Sequence, residues 1–333
     1  MKRFSFIAAA AVLFFAACTK NNSDKISDVP EPENKTITQR QCASYEVLQA
    51  NLKADPGLQR RMDEIEAFTQ KYMKNTAAFK IGADGVTLEL PVHVNVLYKT
   101  AAENISDAQI QSQIDVLNED FAALNADYST TPSIFQGVRS GDIKIKFIWT
   151  PSNTTRKSTT KTSFRTDDSM KKSSRGGIDP TSPATTLNLW SCNLSNGILG
   201  YAQFPGGSLA TDGVVILYSA FGSRAKYSGG TYISTYDLGR TATHEVGHWF
   251  NLRHIWGDAT CGNDQVGDTP AHNTANYGCP TYPHYSTCTG TPVEMTMNYM
   301  DYTDDRCMYM FTAGQASRMQ ATYAVGGPRA TLR

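Results

Sequence analysis

The sequence lacks a net charge, a membrane-length apolar run and any internal repeat. Its 333 residues carry 31 basic and 31 acidic side chains, so neither a polyanion nor an acidic membrane surface is indicated as a partner. The nearest candidate for a basic patch, residues 156–175, is rich in Ser and Thr and is predicted to be a solvated loop. We therefore expect no nucleic-acid partner, and a length sufficient for one sizeable domain with appendages.

The apolar run at residues 4–17 is too short to span a bilayer comfortably. Lys2 and Arg3 precede it, which predicts a secretory signal peptide over residues 1–17. The run ends at Cys18 and resembles a bacterial lipoprotein box, in which the cysteine becomes the lipid anchor, although Phe15 stands where Leu is usual. An ordinary secretory signal is the alternative. Both interpretations predict an exported protein, either an outer-membrane or cell-surface lipoprotein or a secreted one.

The rest of the chain has the patterning of a mixed α and β protein. Residues 18–38 are polar and predict a tether, and residues 43–80 have helical spacing around Pro56 and Gly57. A helix is predicted after Ser106, a plausible cap, with an apolar face that runs from Ile110 to Leu124. Strands are predicted at 87–98, 142–149, 187–190, 201–204 and 214–218, and further helices at 239–250 and 313–323.

One short segment contains three of the six histidines within eleven residues. His244 and His248 are four apart, so on a helix they lie on one face and can bind one ion. Glu245 projects about 100° around the helix from His244, which suits it to hold a water beside the ion. Solvated or core histidines, or a structural zinc, are the alternatives. Structural zinc sites fill all four positions with Cys or His, whereas three His leave one position open.

His254 needs a different backbone from the two helical histidines. A straight helix would carry it roughly 9 Å past His248, so the helix must stop and the chain must fold back. Asn251 lies near the midpoint, and Asn enters the left-handed region more readily than most residues. Gly247 weakens the helix by about 1 kcal/mol against Ala, which suggests that another segment packs close beside it.

These residues resemble the long zinc-binding motif of metzincin peptidases, in which Asn at position 251 is the variant of the pappalysin branch. Downstream, residues 297–302 resemble the methionine turn beneath the metal, with Met300 as the turn methionine and Tyr302 facing the ion. Further segments similar to small bacterial and archaeal pappalysins are 187–190, 199–205 and 268–270. The resemblance covers about residues 85–325.

The resemblance implies an α+β, metzincin-like zincin domain. Its expected parts are a twisted mixed five-stranded sheet, a backing helix, an active-site helix and a loop-rich, disulfide-braced C-terminal subdomain. The implied organisation is a signal peptide at 1–17, a tether and pro-segment at 18–80, and a zinc metallopeptidase catalytic domain at 81–333.

The implied activity is that of a secreted or surface-anchored zinc endopeptidase acting on proteins or peptides. His244, His248 and His254 are expected to hold Zn²⁺. Glu245 is expected to activate a zinc-bound water that attacks the peptide carbonyl, and Tyr302 to hydrogen-bond the carbonyl oxygen. A non-enzymatic metal-binding surface lipoprotein and a zinc amidase on small amides are the alternatives. Acidic residues after the methionine turn favour a basic substrate side chain, but Arg306 among them leaves the preference open.

The cysteines agree with export. Four of them, Cys261, Cys279, Cys288 and Cys307, predict two disulfides, for which the sequence permits three pairings. The resemblance implies Cys261–Cys288 and Cys279–Cys307, and leaves Cys192 as a buried thiol.

Cys42 lies ahead of the catalytic domain. Its thiolate could fill the open metal position and keep the enzyme latent, as in relatives; an incidental free thiol is the alternative.

An acidic loop, with Asp258, Asp264 and Asp268, follows the histidines. Relatives carry structural calcium in this region, and oxygen ligands at short spacing suit that ion. Without EF-hand spacing, a plain polar loop is the alternative.

Overall fold

The computed structural model describes Met1, residues 37–74 and residues 87–333. Its helices are α1 (Ser44–Ala54), α2 (Leu58–Lys74), α3 (Asp107–Phe121), α4 (Ser133–Gln136), α5 (Arg240–Trp249) and α6 (Ala313–Tyr323). Its strands are β1 (Leu88–Tyr98), β2 (Ile145–Ile148), β3 (Thr154–Ser158), β4 (Leu187–Cys192), β5 (Gly200–Ala202) and β6 (Val214–Leu217). The predicted signal peptide, Cys18, nearly all of the tether and the boundary at residue 80 lie outside the described residues. Within the described part of the chain, no helix has the length and apolar character needed to cross a bilayer.

The strands form one mixed sheet in the order β2-β1-β4-β6-β5. All pairs are parallel except β5 with β6, which places an antiparallel strand at the edge, where a strand was predicted at residues 201–204. The sheet has six strands rather than the expected five. β3 forms the extra one and pairs with β1 beyond the end of β2. Its last three residues fall within the stretch 156–175 that was predicted to be loop. The strand was not predicted because its side chains are half-buried or exposed and give no apolar alternation.

The patterns that predicted β1 and α3 correspond to real packing. Val92, Val94 and Val96 are fully buried in the sheet, and the Ser106 side chain accepts a hydrogen bond from the Gln109 N–H at the start of α3. The prediction for Leu124 is wrong. The helix ends at Phe121, so Leu124 leaves the apolar face and is 74% exposed.

Helix α5 is completely buried and packs against β5 and β6, which fixes its position beneath the edge strand. Helix α1 contacts β5, and α2 packs along α6. Residues 37–74 and 87–333 belong to one compact unit, so the predicted pro-segment helices are part of the same body as the sheet.

The C-terminal part is rich in loops and is braced by Cys261–Cys288 and Cys279–Cys307. This interleaved pairing confirms the one implied by the resemblance. Cys192 is a buried free thiol, also as expected.

Candidate metal centre and cleft

Three buried imidazoles converge at the end of α5. His244 and His248 lie on successive turns of the helix, with 3.1 Å between their Nε2 atoms. The Nε2 of His254 lies at the same distance, 3.1 Å, from that of His248. The structure therefore brings together the three histidines that the spacing singled out.

A residue with left-handed backbone conformation allows the three histidines to converge. Asn251 has φ of +72°, as the sequence predicted, and its N–H donates to the His248 carbonyl at 2.8 Å. The Leu252 N–H then donates to the carbonyl of Gly247 at 2.9 Å, which closes the helix end. The chain turns back here and carries His254 to the other two rings.

The hydrogen bonds at Nδ1 set the tautomer of each ring. Nδ1 of His244 lies 2.7 Å from the Tyr299 carbonyl and that of His248 lies 2.8 Å from the Leu252 carbonyl. A carbonyl only accepts, so each Nδ1 carries the proton and each Nε2 is left with a lone pair.

Lone pairs 3.1 Å apart repel unless a cation lies between them. Tetrahedral zinc, with Zn–N bonds of about 2.0–2.1 Å, separates its ligand nitrogens by roughly 3.3–3.4 Å. The three rings thus fit zinc in both donor type and spacing. Burial lowers the pKa of His244 well below its usual value, and the neighbouring charges of His248 and His254 lower it further. This favours the neutral, metal-binding form.

Glu245 lies beside the imidazoles and contacts residues that precede the sheet. Its Oε2 accepts hydrogen bonds from the Ser44 hydroxyl at 2.9 Å and from the Cys42 thiol at 3.3 Å. Burial raises the pKa of Glu245 to about 7, against these two hydrogen bonds, which lower it. Gly200 of β5 passes so close that a Cβ there would lie 2.9 Å from the Glu245 Cγ. The edge strand and the carboxylate therefore border the same narrow space.

Cys42 joins the histidines as a fourth metal-ligating side chain. One ligand atom from each of Cys42, His244, His248 and His254 lies within 4.8 Å of the others. Burial, followed by the negative charge of Glu245, raises the pKa of the Cys42 thiol well above its usual value. A zinc ion acts in the opposite sense and deprotonates a coordinating thiol.

The backbone around Cys42 lies along the edge strand. The Ala43 N–H donates to the Gly200 carbonyl at 3.1 Å, and the Leu199 N–H donates to the Gln41 carbonyl at 2.9 Å. These bonds form a parallel bridge between Cys42 and Gly200. The segment thus occupies the hydrogen-bonding edge that an extended peptide would use.

The methionine turn lies against the histidine helix. A Cβ on Gly247 would lie 2.6 Å from the Met300 sulfur, so the predicted close approach at Gly247 is present. The Tyr302 ring packs edge-on to His254 at 4.9 Å. Its hydroxyl donates a hydrogen bond to the Cys42 carbonyl at 3.0 Å. The hydroxyl is therefore within reach of a peptide oxygen that lies beside the histidines.

Arg40 fills a pocket next to this turn. Its guanidinium donates to Asp305 Oδ1 at 2.5 Å, to Thr241 Oγ1 at 3.1 Å and to the Thr303 carbonyl at 3.1 Å. The ring of Tyr236 lies 5.1 Å from the guanidinium carbon. The pocket is therefore matched to a buried cation.

Comparisons with known proteins agree with this geometry. The family model described as pregnancy-associated plasma protein-A (peptidase M43) matches residues 187–324. An extracellular metalloprotease of Pyricularia oryzae is 36% identical over 244 residues, covering 72% of this chain and 75% of the relative. The chain belongs to the pappalysin family of metzincin metallopeptidases. This confirms the predicted family and implies a catalytic zinc.

Solved pappalysin structures show the same fold. Mature mirolysin of Tannerella forsythia, in complex with a cleaved peptide, is 46% identical with a TM-score of 0.69, covering 74% of this chain and 95% of that chain. A promirolysin mutant from the same organism is 40% identical with a TM-score of 0.76, covering 88% and 97%. The α+β, metzincin-like fold class is thereby confirmed for this pappalysin.

The three carboxylates of the acidic loop have separate partners in this pappalysin. Asp258 accepts from His254 Nδ1 at 2.5 Å, which orients the third imidazole. Asp264 bonds the Thr269 hydroxyl, and Asp268 bonds the hydroxyl of Thr312 at the start of α6. Calcium at this loop stays a prediction.

Sequence reasoning missed several of the contacts that build the centre. Asp258 was interpreted only as part of an acidic loop, although its spacing of four from His254 was visible. Ser44 and Arg40, two residues on either side of Cys42, gave no signal, because their partners lie about 200 or more positions away along the chain.

The turn at Asn251 can be tested by substitution. We expect Asn251→Gly to keep zinc binding, since Gly adopts a φ of +72° without strain, whereas Asn251→Val strains the backbone and weakens binding. The measurement is zinc content after dialysis against a series of chelator concentrations. Equal retention by the two variants would contradict the role assigned to this turn.

Proposed function

We propose that this pappalysin is an exported zinc endopeptidase made as a latent precursor. The observation that carries the proposal is the convergence of three imidazoles beside Glu245, with residues 40–44 lying across them. Residues 18–80 form the tether and pro-segment in this proposal, and residues 81–333 the catalytic domain. Relatives named extracellular metalloproteases, and a neighbour named promirolysin, support export and a precursor stage.

The residues divide the chemistry as follows. His244, His248 and His254 hold the zinc, which when bound lowers the pKa of water and polarises a carbonyl group. Glu245 accepts the proton of the attacking water and passes it to the leaving amine.

Two further elements position the substrate. The edge strand β5 offers its backbone groups to an extended peptide, as it now does to residues 41–43. Tyr302 donates its hydroxyl to the oxygen of the bond being cut, where negative charge develops. Its bond to the Cys42 carbonyl indicates that the hydroxyl reaches a peptide oxygen at this place.

The Arg40 pocket supports a preference for a basic side chain. Asp305 is fully buried and also accepts the Leu238 N–H at 2.9 Å, so its carboxylate stays fixed when Arg40 leaves. Arg306, which had left the preference open, is exposed and does not enter this pocket. We propose that Asp305 selects Arg or Lys in the substrate.

The deciding experiment uses the enzyme activated from the full chain and a denatured protein substrate. We expect cleavage, loss of cleavage with a zinc chelator, and recovery when zinc is added back. Cleavage of small amides alone would favour the amidase alternative. Metal binding without any hydrolysis would favour the non-enzymatic lipoprotein, whose lipid anchor at Cys18 is tested separately by mass spectrometry.

Latency is tested at Cys42. The Cys42 thiolate is proposed to hold the open zinc position, so Cys42→Ser should speed activation of the precursor. We expect an increase of about tenfold or more, the smallest effect typical of losing an outer-shell metal contact. The matched control is Cys192→Ser, since Cys192 is the other buried free cysteine of the described residues. Activation rates are followed by gel electrophoresis and peptide hydrolysis. Identical rates for both variants would make Cys42 an incidental thiol.

A further inference from the structure

Two buried arginines hold the turn that follows α5. Arg329 Nε donates to the Trp249 carbonyl at 3.0 Å. Arg318 Nε donates to the Asn251 carbonyl at 2.7 Å. The end of a helix leaves such carbonyls without partners inside the helix, so both arginines stabilise the turn that leads to His254.

The arginines differ in the source of their carboxylate. Arg329 pairs with Asp212, just before β6, at 2.5 and 2.9 Å. Arg318 pairs instead with Glu66 of α2, through a two-pronged contact of 2.9 Å from Nη1 and 2.5 Å from Nη2. Because Glu66 lies in the proposed pro-segment, removal of that segment takes away the partner of Arg318 but not that of Arg329.

The contact with Glu66 has the features of a built carboxylate site. The Arg318 side chain is 1% exposed and is fixed through Nε, so its two terminal nitrogens are already aligned for a carboxylate. Burial alone would raise the pKa of Glu66. The hydrogen bonds and the charge of Arg318 outweigh the effect of burial, and the charge of Arg253 adds a smaller contribution, so the pKa of Glu66 lies below its usual value. Glu66 is therefore bound in its ionised form.

Asp264 does not replace Glu66 at this site. Its carboxylate accepts from the Thr269 hydroxyl and from the Val266 N–H, and burial raises its pKa to about 6. Among residues 37–74 and 87–333, the terminal nitrogens of Arg318 donate only to Glu66. The charge of Arg318 does act on Asp264 and opposes the rise in its pKa, but no hydrogen bond joins the two side chains among the described residues. Removal of α2 would therefore leave both terminal nitrogens open to a carboxylate from outside the catalytic domain.

The contact between Arg318 and Glu66 adjoins a cavity. Glu66 lines a cavity of about 330 Å³ together with Phe204, Asn251 and Arg253, and with side chains of α1. Phe204 is two residues beyond the end of β5. The centre of its ring lies 5.3 Å from the centre of the His248 ring. Much of the remaining wall of this cavity belongs to α1 and α2, so removal of the two helices would uncover the side chains of Phe204 and Arg253.

We propose that Arg318, assisted by Arg253, forms a subsite for an acidic side chain of the peptide substrate, which Glu66 fills in the precursor. The proposal rests on the proposed function, since it takes α2 to be removed and the cleft to bind peptides. The released pro-segment is a second source of the same carboxylate, and the two sources are separated by experiment.

The first experiment uses the enzyme activated from the full chain and peptides that share one cleavable bond. The peptides form pairs in which one member carries a single Glu and the other carries Gln at the same position. One pair is made for each position on both sides of that bond. At one position we expect kcat/KM to be about tenfold or more higher for Glu, as for a charge-assisted hydrogen-bonded pair. Arg318→Lys should bring the ratio close to one. Equal values at every position overturn the subsite, whereas no cleavage of any peptide overturns the proposed function instead.

A second experiment does not depend on activity or on an Arg318 variant. The precursor carrying Glu245→Ala is cut between α2 and β1 with an added protease, and release of the fragment with α1 and α2 is followed by size-exclusion chromatography. Glu66→Gln should release it about tenfold faster than Glu64→Gln, because the Glu64 side chain is 62% exposed and pairs only with Arg60 among the described residues. Equal release contradicts carboxylate recognition by Arg318. If Glu66→Gln speeds release of the fragment but the peptides show no preference for Glu, Arg318 binds only the pro-segment. That result overturns the substrate subsite.

Discussion

Replacement of Glu245 by Ala is expected to lower kcat by about 100- to 10,000-fold, the range that a general acid–base group contributes. Its carboxylate accepts hydrogen bonds from the side chains of Cys42 and Ser44, which lie where the proposed mechanism places the attacking water. The variant should still bind zinc, since the three imidazoles are untouched. Peptide hydrolysis and zinc content are measured on the same activated sample.

The matched control for this prediction is Glu119→Gln. Glu119 is on α3, is 42% exposed and forms an ion pair with Lys226, and a surface pair contributes about 0–1 kcal/mol to stability. Activity of the control should equal that of the wild type. Near-wild-type turnover by Glu245→Ala would refute the assignment of the general base.

Replacement of His254 by Ala is expected to lower zinc affinity more than about 100-fold. Loss of a residue that only hydrogen-bonds a metal ligand lowers affinity by about 10- to 100-fold, and loss of a ligand should have a larger effect. The change removes one of the three proposed ligands and leaves only the two helical imidazoles. Hydrolysis should fall in parallel at limiting zinc. Affinity is measured by competition with a chromogenic chelator.

His93→Ala is the control for this variant. His93 is on β1 and its ring lies 2.9 Å from the Thr155 hydroxyl, and it belongs to no group of candidate metal ligands in the described part of the chain. Its removal should leave zinc affinity unchanged. Equal zinc affinity of His254→Ala and His93→Ala would exclude His254 as a ligand.

The parts of the site that could be predicted are those encoded by local rules. The four-residue spacing of His244 and His248, and the need for a left-handed residue at Asn251, follow from helix geometry. The close packing at Gly247 follows from the cost of Gly within a helix. The histidine spacing and the left-handed Asn251 agree with the structure because they depend on residues near one another in the chain. The expectation at Gly247 also agrees, although the identity of its distant neighbour, Met300, was not predicted.

The parts that could not be predicted depend on long-range contacts. Arg40 reaches Asp305, Ser44 reaches Glu245, and α2 reaches α6, across intervals that no periodicity encodes. β3 was missed because an edge strand with polar side chains has no alternation to detect. Leu124 was misassigned because the apolar pattern continued beyond the point where the backbone left the helix at residue 121.

The most direct test of the metal centre is zinc K-edge X-ray absorption on the precursor and on the enzyme activated from it. In the precursor we predict three imidazole nitrogens at about 2.0–2.1 Å and one sulfur at about 2.3 Å. After activation, the sulfur should be replaced by an oxygen while the three nitrogens remain. Fewer than three imidazoles in either form, or a sulfur that persists in the activated enzyme, would contradict the account.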